Sequence, residues 1–279
     1  MNYWVRGNGP PILLIHGIPT NGRLWDFVVE RLQEQYTCVV VDLPGFGESP
    51  TPSDGSRDPA RFAGELDRLG RDLGFASWNV VGHDAGSTIA VHLAAAYPQR
   101  TRRLALLSPP LFPEFRPPWF IHLIRTPVLG EIIAPAMIYA IWNGGMQSII
   151  ERTDPALPEI LESFHKPFRG LAGARRLTWL VRWGNPEEVL GRTAALLNKV
   201  SAPTLILHGR RDGAIPVSFA EKASQMIPDA RVHFFDSGHF LPLNVPDAVS
   251  DQLRAFFASD LEAAPTVSRM EFQTQNNKR

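Results

Sequence analysis

Short, almost uninterrupted apolar runs restrict the folds open to this sequence more than any other feature. Runs of Val, Ile and Leu without strict alternation are typical of strands that are covered on both faces. Apolar residues at helical spacing fall between the runs, so the sequence predicts a mostly parallel sheet with helices on both faces. The six predicted strands are Ile12 to Ile15, Thr37 to Val41, Trp78 to Val81, Leu104 to Leu107, Thr204 to Leu207 and Arg231 to Phe235.

The alternation of strands and helices breaks between about residues 109 and 202. This stretch is rich in Pro and Trp, and its apolar groups have helical spacing. We therefore predict an α/β core formed by residues 1–108 and 203–260, with a helical cap inserted at 109–202. Residues 261–279 are polar and lack periodicity, which is typical of a loosely packed tail.

Charge and cysteine content exclude several classes of protein. The 28 Lys and Arg residues balance 28 Asp and Glu residues, so nothing in the charge indicates nucleic acid or an anionic membrane as a partner. The single cysteine, Cys38, lies in an apolar run and is predicted to be a small buried hydrophobe. The eight histidines show no ligand spacing such as H-E-x-x-H, so no metal site and no cofactor are predicted.

The most apolar stretch of the chain runs from Trp119 to Trp142. It contains His122, Arg125, Glu131 and two prolines, which a membrane-spanning helix of about 20 residues would rarely carry. We interpret it as amphipathic structure that faces inward. No basic segment leads into a long apolar run at the start of the chain, so a cytoplasmic location is expected.

The strongest local motif is Gly82-His83-Asp84-Ala85-Gly86, between a predicted strand and a helical pattern. Small residues on both sides of a central side chain allow a tight, strained turn that lifts this side chain clear of the sheet. The pattern matches the nucleophile elbow G-x-S-x-G, with Asp84 in place of serine. The alternative interpretation is an ordinary strand–helix junction in which Asp84 only caps the helix.

Three further signals follow predicted strands. His16-Gly17-Ile18-Pro19 comes after the first, Asp212 lies shortly after the fifth, and His239 follows the last. Open α/β sheets build their sites at the carboxyl ends of the strands, and the order nucleophile, acid, histidine suits an elbow nucleophile. Each signal alone is compatible with a structural turn or a structural histidine, whereas their joint order favours a catalytic set.

On these motifs the chain resembles the α/β-hydrolase superfamily over about residues 3–260, including the Asp-Leu-Pro-Gly-Phe-Gly-Glu-Ser run at 42–49. Gly-His-Asp together with His-Gly-x-Pro resembles the branch of epoxide hydrolases and haloalkane dehalogenases. The resemblance implies an oxyanion hole formed by the backbone N–H groups of Ile18 and Ala85. It also implies a hydrophobic small molecule as substrate, bound beneath the cap.

An aspartate nucleophile restricts the chemistry. A carboxylate has an unperturbed pKa of about 4, is ionised at pH 7, and suits displacement at a saturated carbon that bears a leaving group. Attack by Asp84 would give an alkyl-enzyme ester. His239, oriented by Asp212, would then deprotonate the water that hydrolyses the ester.

The leaving group separates the two enzyme classes of this branch. Epoxide hydrolases typically protonate the leaving alkoxide with two cap tyrosines, and the predicted cap has one, Tyr139. Haloalkane dehalogenases typically place halide donors where this chain has Ala85 and Ile18, and fluoroacetate dehalogenases carry arginines where it has Ala85 and Thr88. The candidate substrate contacts of the cap are Tyr139, Trp142, His165, Trp179 and Trp183, of which the tryptophans also suit the interior of a lid.

The leading hypothesis is therefore hydrolysis of a hydrophobic epoxide through an Asp84 ester. A haloalkane dehalogenase is one alternative. A biosynthetic enzyme that performs a cyclisation or an elimination, with Asp84 as a base, is another, and a non-catalytic small-molecule receptor is the third. The substrate, the stereoselectivity and the oligomeric state are left open by the sequence.

Overall fold

The computed structural model describes residues 1–117, 119–140, 149–182 and 186–262 of the 279-residue chain. Seven strands form one sheet in the order β1-β3-β2-β4-β5-β6-β7. All neighbouring pairs are parallel except β1 and β3, which are antiparallel. The strands are β1 (Asn2–Arg6), β2 (Pro11–Ile15), β3 (Thr37–Asp42), β4 (Trp78–His83), β5 (Thr101–Leu107), β6 (Thr204–Gly209) and β7 (Ala230–Phe235).

The six predicted strands are confirmed, and the centre of the sheet forms the core. Every residue of β3, β4 and β6 is buried, as the uninterrupted apolar runs indicate, and Cys38 is buried within β3. β1 was not predicted. It is an edge strand that pairs only with β3 and is partly exposed along its length, so its sequence carries no apolar run.

Helices cover the sheet and fill the segment between β5 and β6. The α2 helix begins at Pro59, because the Asp58 side chain accepts a hydrogen bond from the Ala60 N–H at 3.2 Å and Pro59 occupies the first turn. The α-helices are α1 (Asp26–Leu32), α2 (Pro59–Asp72), α3 (Ala85–Ala96), α4 (Trp119–Arg125), α5 (Leu129–Ala140), α6 (Leu157–His165), α7 (Gly170–Val181), α8 (Pro186–Ala194), α9 (Val217–Met226), α10 (Leu241–Asn244) and α11 (Pro246–Glu262).

The inserted segment, as far as it is described, contains helices α4 to α8 and no strand. Its apolar stretch does not face inward throughout, because Val128 and Ile132 are 72% and 70% exposed. The inward-facing interpretation is therefore wrong for these residues: a helix laid over a core can bury only one of its faces. None of the described helices is long and apolar enough to cross a membrane. The predicted tail falls almost wholly outside the described residues, which end with α11.

Candidate active site

Asp84 occupies a sharp turn between β4 and α3. Its backbone has φ 51° and ψ −125°, a region that residues with a side chain rarely adopt. The two flanking glycines leave no room for a side chain. A Cβ on Gly86 would lie 2.4 Å from the Ile15 carbonyl oxygen, and one on Gly82 would lie 2.6 Å from the Gly86 carbonyl oxygen. The turn therefore has the form of the predicted elbow, and the Asp84 side chain makes no capping hydrogen bond to α3.

Backbone donors surround one end of the Asp84 carboxylate. Oδ1 accepts the Ile18 N–H at 3.0 Å, and the backbone N–H of Ala85, the residue that follows Asp84, lowers the pKa of the same carboxyl. The loop approaches so closely that a Cβ on Gly17 would lie 2.5 Å from the Asp84 Cβ. Burial raises the pKa of Asp84, while His239 and the two N–H groups oppose this rise. The two predicted oxyanion donors thus meet at the predicted nucleophile.

Asp212 and His239 complete the group from the ends of β6 and β7. His239 Nδ1 lies 2.9 Å from Asp212 Oδ2, and His239 Nε2 lies 3.7 Å from Asp84 Oδ2. The other Asp212 oxygen, Oδ1, accepts the N–H groups of Ala214 at 2.8 Å and Ile215 at 2.9 Å. The Asp212 side chain is fully buried, so these bonds fix which of its oxygens faces the imidazole.

The charges of the group are coupled. Burial alone would raise the pKa of Asp212, but the hydrogen bond from His239 and its positive charge outweigh burial and hold it well below its usual range. Burial alone would lower the pKa of His239, but the hydrogen bond to Asp212 and the charges of Asp212 and Asp84 raise it. The imidazole therefore gains its basicity from both carboxylates.

Two residues that sequence reasoning did not assign a role hold the His239 loop. His83 Nε2 lies 3.1 Å from the His239 carbonyl oxygen, and burial lowers the pKa of His83 to about 3, so the ring is neutral and Nε2–H donates. Ser108 directly follows β5 with φ 44°. Its hydroxyl donates to the same carbonyl oxygen at 3.5 Å, and its proximity to Asp212 helps to lower the pKa of that carboxyl. His83 stands inside the elbow motif, and Ser108 ends a strand at the same sheet edge. The sequence therefore places both residues next to the candidate site, although it does not reveal their contacts.

An apolar pocket lies beside the elbow. Of the predicted cap contacts, Trp179 lines it, whereas His165, half-buried at the end of α6, is not among the described lining residues. Trp142, Trp183 and the side chain of Tyr139 lie outside the described part of the chain. The described lining residues are Ile18, Leu43, Pro44, Phe46, Arg57, Pro59, Phe62, Ala85, Ile89, Trp179 and Leu180.

Within the described ranges, no three His, Cys, Asp or Glu side chains are grouped so that they could hold a metal ion. What the site offers is a buried carboxylate at a turn, two N–H donors, a carboxylate-oriented imidazole and an apolar pocket.

Comparison with known proteins agrees with this geometry. The model of the α/β hydrolase fold family matches residues 10–128. A cis-3-alkyl-4-alkyloxetan-2-one decarboxylase from Shewanella oneidensis is 26% identical, with 99% of this chain and 92% of the relative covered.

Two solved structures share the architecture. A variant of a Pseudomonas aeruginosa protein provisionally described as an epoxide hydrolase superposes with a TM-score of 0.79 at 26% identity, over 94% of this chain and 92% of the other. A haloalkane dehalogenase loop variant from Bradyrhizobium elkanii superposes with a TM-score of 0.76 at 25% identity, over 94% and 93% of the two chains. The chain is therefore an enzyme with the α/β-hydrolase fold, and it resembles the branch of epoxide hydrolases and haloalkane dehalogenases.

Proposed function

We propose that the enzyme adds water to a hydrophobic epoxide through a covalent ester on Asp84. The observation that carries the proposal is the asymmetric placement of this carboxylate. Oδ1 is held by the Ile18 N–H, while Oδ2 is turned toward His239 and makes no hydrogen bond to a described residue. An oxygen without a donor is the one suited to attack.

In the first step, Asp84 Oδ2 attacks one carbon of the epoxide ring. The bond between this carbon and the ring oxygen breaks, and its electron pair remains on the oxygen as an alkoxide, which a donor protonates. Tyr139 is the proposed donor. The product of this step is an alkyl ester of Asp84.

In the second step, His239 removes a proton from water, and the hydroxide attacks Cγ of Asp84. Esterification removes one of the two negative charges that raise the pKa of His239, which lowers this pKa and favours the neutral imidazole that can accept the proton. The N–H groups of Ile18 and Ala85 stabilise the oxyanion. Cleavage of the Cγ–O bond then expels an alkoxide, which takes the proton from His239 to give the diol and restores the Asp84 carboxylate.

The pocket supports an epoxide over a halide. A leaving halide needs N–H donors at the nucleophile, and the side chains at the two relevant positions, Ile18 and Ala85, are apolar. Both residues therefore offer backbone N–H groups alone, and that of Ile18 is already bonded to the Asp84 carboxylate.

A second candidate substrate is a β-lactone, the ring acted on by the Shewanella oneidensis relative. Attack of Asp84 on the ring carbon that bears oxygen would release a carboxylate instead of an alkoxide. Loss of CO2 from this carboxylate would then form an alkene and expel Asp84, without water. The observation that favours it is a guanidinium, Arg57, in the pocket wall, where it can neutralise the released carboxylate.

The test is mass spectrometry of the His239→Gln variant after incubation with styrene oxide, aliphatic epoxides and alkyl halides. We expect Asp84 to gain the whole mass of the epoxide, because the ester forms and is not hydrolysed. His233→Gln is the matched control, since this histidine lies in β7 outside the site and its variant should accumulate no ester.

The outcomes separate the candidates. In the parent enzyme, a single turnover in H2 18O places 18O in Asp84 if water attacks Cγ, whereas a β-lactone yields CO2 and an alkene without this label. An adduct that lacks the halogen would instead indicate a dehalogenase. No adduct on a folded His239→Gln variant with any of these compounds would refute the proposal.

A further inference from the structure

Arg57 lines the pocket as a cation that makes no hydrogen bond to any residue in the described part of the chain. It directly precedes Asp58, the N-cap of α2, whose side chain accepts a hydrogen bond from the Ala60 N–H, and Pro59 follows in the first turn. These two residues restrict the backbone next to Arg57. Its guanidinium lies over the ring of Trp179, 4.7 Å from the ring centroid. Its Nε is buried, and no acceptor among the described residues reaches it.

The carboxylates around Arg57 are engaged elsewhere. Asp54 pairs with an arginine of α2, and Asp58 caps that helix. Glu131 binds Arg182 through two hydrogen bonds of 2.6 and 2.9 Å. Burial and the nearby charge of Arg182 both lower the pKa of Arg57, although a guanidinium remains protonated at any working pH.

A buried N–H donor without an acceptor is unfavourable, and a charged one more so. The cation–π contact with Trp179 stabilises the flat face of the guanidinium. The N–H groups of the guanidinium lie in its plane and point away from its edge, so this contact does not supply them with an acceptor. The pocket wall that Arg57 shares with Ile18 and Ala85 is otherwise apolar. A ligand that fills this pocket can therefore supply the missing acceptor.

We propose that Arg57 is a carboxylate-binding residue of the pocket, so that the substrate is an apolar compound that carries, or acquires during ring opening, a carboxylate. A single planar guanidinium matches a planar carboxylate, which it can bind through two parallel hydrogen bonds. The inference deepens the proposed function and rests on it for the ring-opening step only, since binding at Arg57 needs no reaction.

The surface on the other side of Trp179 also carries positively charged side chains. An open groove on its other side is lined by Arg169, Arg175 and Arg176. Arg169 is neutralised by Glu162 at 2.7 Å, and Arg176 donates to the Ser49 carbonyl oxygen, which carries no net charge. Positive charge on this side of the pocket would attract an anionic substrate.

Binding of an unreactive acid tests the site without any chemistry. Cinnamate and cinnamamide differ in charge at one end, and neither contains a strained ring. We expect calorimetry to show that cinnamate binds the parent enzyme at least tenfold more tightly than cinnamamide. Arg57→Leu should weaken cinnamate binding about 10- to 100-fold and leave cinnamamide binding unchanged, while Arg57→Lys should retain part of the preference.

Arg68→Leu is the matched control. Arg68 lies on α2, and its side chain is 77% exposed and outside the described pocket lining. Its replacement by Leu therefore removes one positive charge, as Arg57→Leu does, without changing the pocket. If Arg57→Leu and Arg68→Leu weaken cinnamate binding equally, or if the parent does not distinguish cinnamate from cinnamamide, the carboxylate site is refuted.

Turnover then identifies the source of the carboxylate. With 3-phenylglycidate and its methyl ester, a carboxylate carried by the substrate predicts that Arg57→Leu raises KM at least tenfold more for the acid than for the ester. With a neutral dialkyl β-lactone, a carboxylate released in the reaction predicts a lower kcat at similar KM. Cinnamate binding that depends on Arg57, with no ring opened by the parent, would support the carboxylate site and contradict the proposed function.

Discussion

Replacing Asp212 by Asn tests how this carboxylate controls the imidazole of His239. Asp212 Oδ1 accepts the N–H groups of Ala214 and Ile215, so the amide oxygen of the variant must take that place. The amide NH2 then faces His239 Nδ1, which becomes an acceptor, and the proton of the neutral ring moves to Nε2. Nε2 is the nitrogen that lies 3.7 Å from Asp84, and once protonated it cannot accept a proton from water.

The expected effect falls on one step. Ester formation needs the Asp84 carboxylate and the donor that protonates the alkoxide, but not a basic His239, so a burst of about one equivalent should persist. Hydrolysis of the ester should slow by about 10³- to 10⁴-fold, as in other enzymes whose histidine is held in the wrong tautomer. This factor corresponds to about 4–5.5 kcal/mol in activation free energy.

Rapid-quench kinetics with a substrate that labels His239→Gln would measure the two steps. A check without substrate is NMR titration of His239, whose pKa is raised by Asp212 and should fall in the variant. Asp251→Asn is the control, because this carboxylate is 68% exposed and lies on α11. Hydrolysis within tenfold of the parent rate, with an unchanged His239 titration, would show that Asp212 does not orient the imidazole.

Two further predictions concern the packing of the site and its protonation. Gly17→Ala places a Cβ 2.5 Å from the Asp84 Cβ, so it should lower the free energy of unfolding by about 1–3 kcal/mol and abolish ester formation. Gly191→Ala, on α8 with nothing within 4 Å, is the control: it should not lower the free energy of unfolding in denaturant titrations, because Ala is favoured over Gly in a helix, and it should leave ester formation unchanged in labelling assays. An active Gly17→Ala would contradict the close approach. Burial lowers the pKa of His83 to about 3 and that of His16 to about 4, so the unfolded chain, with pKa values near 6.5, binds more protons than the folded one below that pH. The stability associated with these neutral rings is complete above about pH 6.5 and should be lost as the pH falls toward 4. In thermal unfolding, Tm of His83→Gln should therefore fall less steeply with decreasing pH than Tm of the parent. An equal dependence of Tm on pH in parent and variant would contradict this assignment.

The sequence by itself determined the central strands and the residues at their ends. Strands covered on both faces require continuous apolar runs, and the elbow requires small residues at Gly82 and Gly86, so both leave local patterns. Since the carboxyl ends of parallel strands share one edge, the order of Asp84, Asp212 and His239 was enough to predict that they meet. Their catalytic roles remain predictions.

Only the tertiary structure decided which distant side chains touch. The edge strand β1 is partly exposed, so it carries no apolar run, and it is defined by its pairing with β3. Local sequence places Ser108 at the end of a strand but does not tell that its hydroxyl contacts the His239 loop, and it gives no sign that Val128 faces solvent. Arg57 reads as an ordinary surface residue until the fold places it over Trp179, in a pocket whose described wall contains no carboxylate. Such contacts join segments far apart in the chain, and their geometry depends on how the whole fold packs.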